Sequence, residues 1–171
     1  AGESERTSNV QANKTIQEIA ALLRFLDSPI DNLSFADFIL GDIFARATGK
    51  DASVWSEFIF GLRPRISADS SFYIYREFRT AFPEIWSRFF EDFFKNVGLY
   101  PLYEFTVNLI ERLGVHQNFP GDRGFVMHFL EVIKKQEKEH GDLTAFLEYF
   151  EDPLPEDLFV NVRGQEAVRI L

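Results

Sequence analysis

Aromatic residues recur through the middle of this chain at steps of three, four and seven: Phe72, Tyr75, Phe78 and Phe82, then Phe89 and Phe93. Such spacing lines rings along one face of successive helices. Phenylalanine alone fills 20 of the 171 positions, so the core has to be built largely from rings rather than branched aliphatic side chains. A chain of this length forms one domain with a proper core and is marginal for two. The Phe-rich stretch at 82–94 has the composition of a base-stacking platform, but its helical period favours core packing.

The same period organises the rest. Ile16, Ile19, Ala20, Leu23 and Leu26 form one stripe of a helix that begins at Asn13 and stops before Ser28-Pro29. Ser34 is expected to cap a second helix, with Leu33 stapled onto Phe38 and Gly49 ending it. A short helix near 52–61 turns Trp55, Phe58 and Ile59 inward, and GLRPRI breaks it. Ser70 or Ser71 opens the next; Pro83 either starts a new helix or kinks a continuing one. Pro101 starts another, with Leu102, Phe105, Leu109, Ile110 and Leu113 inside. HQNFPGDRG reads as a loop. A long helix follows from Gly124 to His140, its last turns, KKQEKEH, projecting into solvent. Asp142 caps a final helix carrying Phe146, Leu147 and Phe150. The expected fold is therefore all-α: a single irregular bundle of seven or eight helices with a short C-terminal strand-like segment. It divides into a polar junction (1–12), a helical domain (13–152) and a linker with a strand (153–171).

Chemistry is sparse. With 27 acidic against 18 basic residues the net charge is −9, which argues against strong autonomous nucleic-acid binding. There is no cysteine, so disulfides and thiolate metal sites are excluded. The start, AGESERTSNVQANK, has no apolar stretch of the signal-peptide kind, and no run approaches the ~20 residues that span a bilayer. A soluble, intracellular chain with no membrane partner is expected. No GxxxxGK[ST], strand-linked GxGxxG or GxSxG is present. His116, His128 and His140 stand twelve apart, without metal-ligand spacing. The neighbouring carboxylates Glu91-Asp92, Glu151-Asp152 and Glu156-Asp157 point in different directions on a helix and read as solvated surface.

Two basic clusters remain. Arg63 and Arg65 with Arg76 and Arg79 are candidate DNA-phosphate contacts. Lys134, Lys135 and Lys138 are interleaved with Glu131, Glu137 and Glu139, which favours ordinary intrahelical pairs.

Several stretches together resemble one family. IQEIAALLRFLDSPIDNLSFADFIL, through Leu22, Leu23, Leu26, Asp27, Pro29, Asp31, Leu33 and Phe38, is similar to the segment after motif IV of UvrD/RecB-type superfamily 1 DNA helicases. The likeness is greatest to the AddA and RecB (exonuclease V beta) branch. LIERLGV, and FLEVIKKQEKEHGDLTAFLEYFED after it, resemble later helices of the inserted 2B subdomain. In VRGQEAVRIL, the residues Glu166, Ala167, Val168, Arg169, Ile170 and Leu171 resemble the strand leading into motif V. The N-terminal AGES is similar to residues following the motif IV strand, while 50–98 falls outside the match.

The resemblance implies a non-catalytic helical insertion cut from an ATP-dependent helicase or helicase-nuclease of bacterial cytoplasm, acting in DNA repair and recombination. Its partners would be the motor domains of the parent chain, duplex DNA, and a nuclease or helicase partner subunit. ATP and Mg would belong to the parent, with no cofactor, metal or catalytic residue in this piece. Both ends, Ala1–Ser8 and Val168–Leu171, would then lie on one side of the fold. The alternative is a free-standing helical protein–protein interaction module.

Overall fold

The computed structural model describes residues 7–139 and 141–161, and over these the chain is all-α apart from one short ribbon. A strand, β1 (Thr7–Asn9), leads through a 3₁₀ turn at Val10–Ala12 into α1 (Lys14–Asp27). Val10 is fully buried, so the last part of the expected polar junction is instead anchored in the core. Asn13 caps α1 by accepting from the Ile16 N–H at 3.0 Å.

Helix α1 is buried on nearly every side rather than along one stripe: Thr15, Glu18, Ala21, Leu22 and Phe25 join the expected positions. It is the axis of the domain, touching α2 (Asn32–Ile39), α3 (Asp42–Thr48), α10 (Arg123–Glu137) and α11 (Leu143–Glu151). The expected second helix is two, divided at Leu40-Gly41. Its cap is Asp31, which accepts from the Ser34 N–H at 3.0 Å; Ser34 lies inside the helix and Leu33, 72% exposed, staples nothing. Gly49 ends α3 at φ 70°, a left-handed position where other residues are strained.

Helix α4 (Ala52–Ala68) runs straight through the expected break, with Pro64 inside it. Pro64 faces outward, so the carbonyl it cannot serve, that of Phe60, belongs to an exposed residue and can turn to water. Helix α5 (Ile74–Ala81) is started from a distance: the Asn32 amide accepts from the Ile74 N–H at 2.9 Å and donates to the Phe72 carbonyl at 2.8 Å. Pro83 begins α6 (Pro83–Phe89) at its first position, and α7 (Glu91–Asn96) follows after a break at Phe90. Next come α8 (Leu102–Arg112) and a short α9 (Val115–Asn118), the latter running into the first residues of the expected loop. After α10 and α11, α12 (Pro155–Leu158) and the strand β2 (Phe159–Asn161) occupy the expected linker. The division of helices and the two short additions raise the number to twelve among the described residues.

Rings do fill the core. Phe90, 1% exposed, sits among Phe25, Phe35, Phe38, Phe44, Phe78 and Trp86 at centroid distances of 5.2 to 6.5 Å. This one residue ties α1, α2, α3, α5 and α6 together. A second group, Phe129, Phe146 and Phe150, joins α10 to α11. The aromatic helix at 82–94 therefore spends its rings inward.

Candidate functional site

The two described ends of the chain meet. Strand β1 pairs antiparallel with β2, Thr7 opposite Asn161, Ser8 opposite Val160 and Asn9 opposite Phe159. Polar contacts fix the incoming side. The Gln11 amide donates to the carbonyls of Phe150 and Glu151, and Asp122 accepts from Asn13 Nδ2 at 3.1 Å and Thr15 Oγ1 at 2.6 Å. The junction residues Glu166 to Leu171 lie outside the described residues, as do Ala1–Arg6 and His140.

The outgoing side hangs on one carboxylate. Asp157, in α12 just ahead of β2, is 4% exposed rather than solvated surface. It accepts from the Tyr149 hydroxyl, from Gln136 Nε2 at 3.1 Å and from Lys135 Nζ at 3.2 Å. Its backbone carbonyl accepts from the His128 Nε2–H at 2.9 Å. Burial pushes the carboxyl's pKa upward, but the hydrogen bonds from Tyr149 and Lys135 and the charge of Lys135 outweigh it, and the net displacement is downward. Burial and the same carboxylate hold the Tyr149 phenol above its ordinary value. The tail KKQEKEH is therefore not simply solvated: Gln136 is 1% exposed, and Lys135 spans Asp157 and Glu156. Nothing in residue spacing marks Asp157, because its partners come from α10 and α11.

The four arginines lie against aromatic rings, two of them sharing one. Arg65 forms a two-pronged pair with Glu77 at 2.9 and 3.2 Å and lies over the Phe72 ring, so its donors are engaged between α4 and α5. Arg63 stands over Phe60 at 5.6 Å. Arg76 and Arg79 share the Tyr75 ring, at 5.8 and 5.7 Å from its centroid, and Arg79 also reaches Trp86. All four are exposed, each held against an aromatic face. Of those rings Phe60 alone stays largely open to solvent, 67% exposed, while Tyr75 and Trp86 are buried.

An open cleft of about 670 Å³ runs beside α1, lined by Lys14, Glu18, Arg24, Asp37 and Gly41 among others. Glu18 has a structural task there: buried, it accepts from the Ile43 N–H at 2.9 Å and so caps α3, which has no cap of its own. Burial raises its pKa, opposed by the Ile43 N–H and Lys14. A Cβ at Gly41 would stand 2.2 Å from Glu18 Oε1, which explains the glycine. Glu91 accepts from Trp86 Nε1 and Lys95, and Asp92 faces Arg112 at 3.5 Å. Among the described residues no group of acidic and histidine side chains is placed to hold a metal ion, and no helix is long and apolar enough to cross a membrane.

No protein-family model matches the chain, and neither do the curated proteins or the solved structures.

Proposed function

We propose that this chain is a non-catalytic helical domain of the 2B kind, inserted into an ATP-dependent DNA helicase or helicase-nuclease of the UvrD/RecB type. The observation that carries the reading is the β1–β2 ribbon: the chain arrives and leaves side by side, as an inserted domain must. The order of family-like stretches in the sequence supports it. In this reading the domain packs on the motor of its parent and either positions duplex DNA or meets a partner subunit, in a bacterial cytoplasm. ATP and Mg belong to the flanking motor domains. The net charge of −9 favours a protein-facing role over a duplex grip.

Reading the coding frame past Leu171 tests this directly: a TIHKSKG-like stretch is expected, and a frame that continues without one refutes it. The isolated chain should turn over no ATP. Titrated with forked and duplex DNA, any affinity should fall steeply with salt and with charge reversal at Arg63, Arg65, Arg76 and Arg79. Tight binding indifferent to salt contradicts the reading. A second reading, a free-standing interaction module, is favoured by one observation, the exposed outer face of α4, where Phe60 is 67% exposed.

A further inference from the structure

Helix α4 is under-buried for its composition. Of its 17 residues only Trp55 and Leu62 are buried, and it leans on α5. Trp55 and Phe58 fix its inner side against Phe78 and Phe82. On the outer side Phe60, Arg63, Pro64 and Ser67 fall at helical spacing and line a shallow depression of about 310 Å³. The backbone beside them is bare, since a Cβ at Gly61 would meet nothing within 4 Å. Pro64 has no N–H to offer the Phe60 carbonyl. An exposed ring with an arginine over it sets an apolar and a cationic group side by side on this face.

Charge says what kind of surface. Residues 52–89, from α4 to α6, hold five arginines (63, 65, 76, 79 and 88) and no lysine. Against them stand Glu57, Asp69, Glu77 and Glu84, a net charge of +1, whereas the whole chain carries −9 and the remainder therefore −10. An anionic partner therefore meets less net repulsion at this lobe than over the rest of the chain. Phosphates alone would leave the Phe60 ring and the apolar side of the depression unused. We propose that the outer face of α4, centred on Phe60 and Arg63, docks an acidic amphipathic helix of another protein. Its apolar stripe covers Phe60 and Pro64 while its carboxylates meet Arg63. The inference rests on α4 alone and holds whether the domain is an insertion or a free-standing module.

The test uses the full chain and a fluorescein-labelled helical peptide of about 18 residues, with Leu at i, i+3, i+4 and i+7 and Glu on both flanks of that stripe. Fluorescence anisotropy should give saturable binding, weakened at least ~5-fold by Phe60→Ala and by Arg63→Glu, and likewise by Ser67→Glu. All three positions are exposed, so thermal melting of the variants should match the parent chain. A counterpart peptide with Lys for Glu should bind at least ~10-fold more weakly. No saturable binding of the acidic peptide overturns the proposal, as does binding that the three variants leave unchanged. A single-stranded oligonucleotide that binds more tightly than the peptide, and loses affinity with Arg63→Glu but not Phe60→Ala, assigns the surface to nucleic acid and overturns it too.

Discussion

Replacing Asp157 by alanine should loosen the ribbon before it unfolds the bundle. The substitution takes the acceptor from Gln136 Nε2, and Gln136 is 1% exposed, with its Oε1 already lacking a hydrogen-bond partner among the described residues. Leaving a buried amide unsatisfied costs about 1–3 kcal/mol. Tyr149 loses its acceptor as well, but it is only half-buried and its hydroxyl still receives the Leu154 N–H at 3.2 Å, so it adds less. Lys135 contributes little, because its side chain is 46% exposed and keeps Glu156 at 2.8 Å. The sum is about 2–3 kcal/mol, which for a chain of this size lowers the melting temperature by roughly 5–10 °C. Circular dichroism melting measures that loss. Native-state hydrogen exchange should show the amides of Phe159–Asn161 and Thr7–Asn9 accelerated more than those of α1. Asp157→Asn should cost less, since the amide still accepts one bond. A melting temperature within ~1 °C of the parent, or ribbon amides that exchange no faster, would show that Asp157 is not what holds the outgoing strand. The pH behaviour follows from the lowered pKa: the stabilisation is full above the ordinary carboxylate range and is lost only as pH falls through the lower folded value.

Three further outcomes are expected. Phe90→Ala should be among the most damaging core changes, about 3–5 kcal/mol by denaturant titration, because it empties the meeting point of Phe25, Phe35, Phe38, Phe44, Phe78 and Trp86; a loss below ~2 kcal/mol contradicts that placement. Gly41→Ala should cost about 1–2 kcal/mol by driving Glu18 off the α3 N-terminus, and Gly41→Ala with Glu18→Ala should be no worse than Glu18→Ala alone; simple additivity argues against the shared contact. His116, whose Nδ1 is buried without a hydrogen-bond partner among the described residues, has its pKa lowered by burial and by Arg123, so the unfolded chain takes up its proton first. Stability should therefore fall as pH drops below about 6.5, and His116→Gln should flatten that slope in urea titrations at stepped pH.

How much of this could be read beforehand depended on whether the cause was local. The helix start at Asn13, the cap at Asp142 and the left-handed Gly49 depend on neighbours a few residues away and stand where the spacing places them, and of the two roles open to Pro83 the structure takes the helix start. Asp31 took the capping role from Ser34, three residues off, a choice that side-chain preferences leave open. Pro64 inside α4 was illegible because an exposed outer face tolerates what a packed one forbids. The start of α5 depends on Asn32, some forty residues earlier, and no periodicity reveals such a cap. Asp157 belongs to the same class. Adjacent to Glu156 in a proline-rich stretch, it has every local mark of a surface acid, and only the arrival of α10 and α11 buries it. Arg63 and Arg65, close in sequence, stand over different rings, Phe60 and Phe72, a divergence that their spacing alone does not reveal.

The pairing of Thr7 with Asn161 makes the described chain nearly a closed ring. A two-residue hairpin turn suffices to join antiparallel partners across such a pair. The backbone of residues 7–161 can thus be spliced there and opened elsewhere. Gly98, exposed at φ 84° in the turn between α7 and α8, offers a place to cut. A permutant starting at Leu99 would synthesise α8 to α12 before α1, so the axial helix would arrive after half of the walls that enclose it. Comparing its folding rate with that of the natural order would show whether α1 nucleates this domain or is merely surrounded by it.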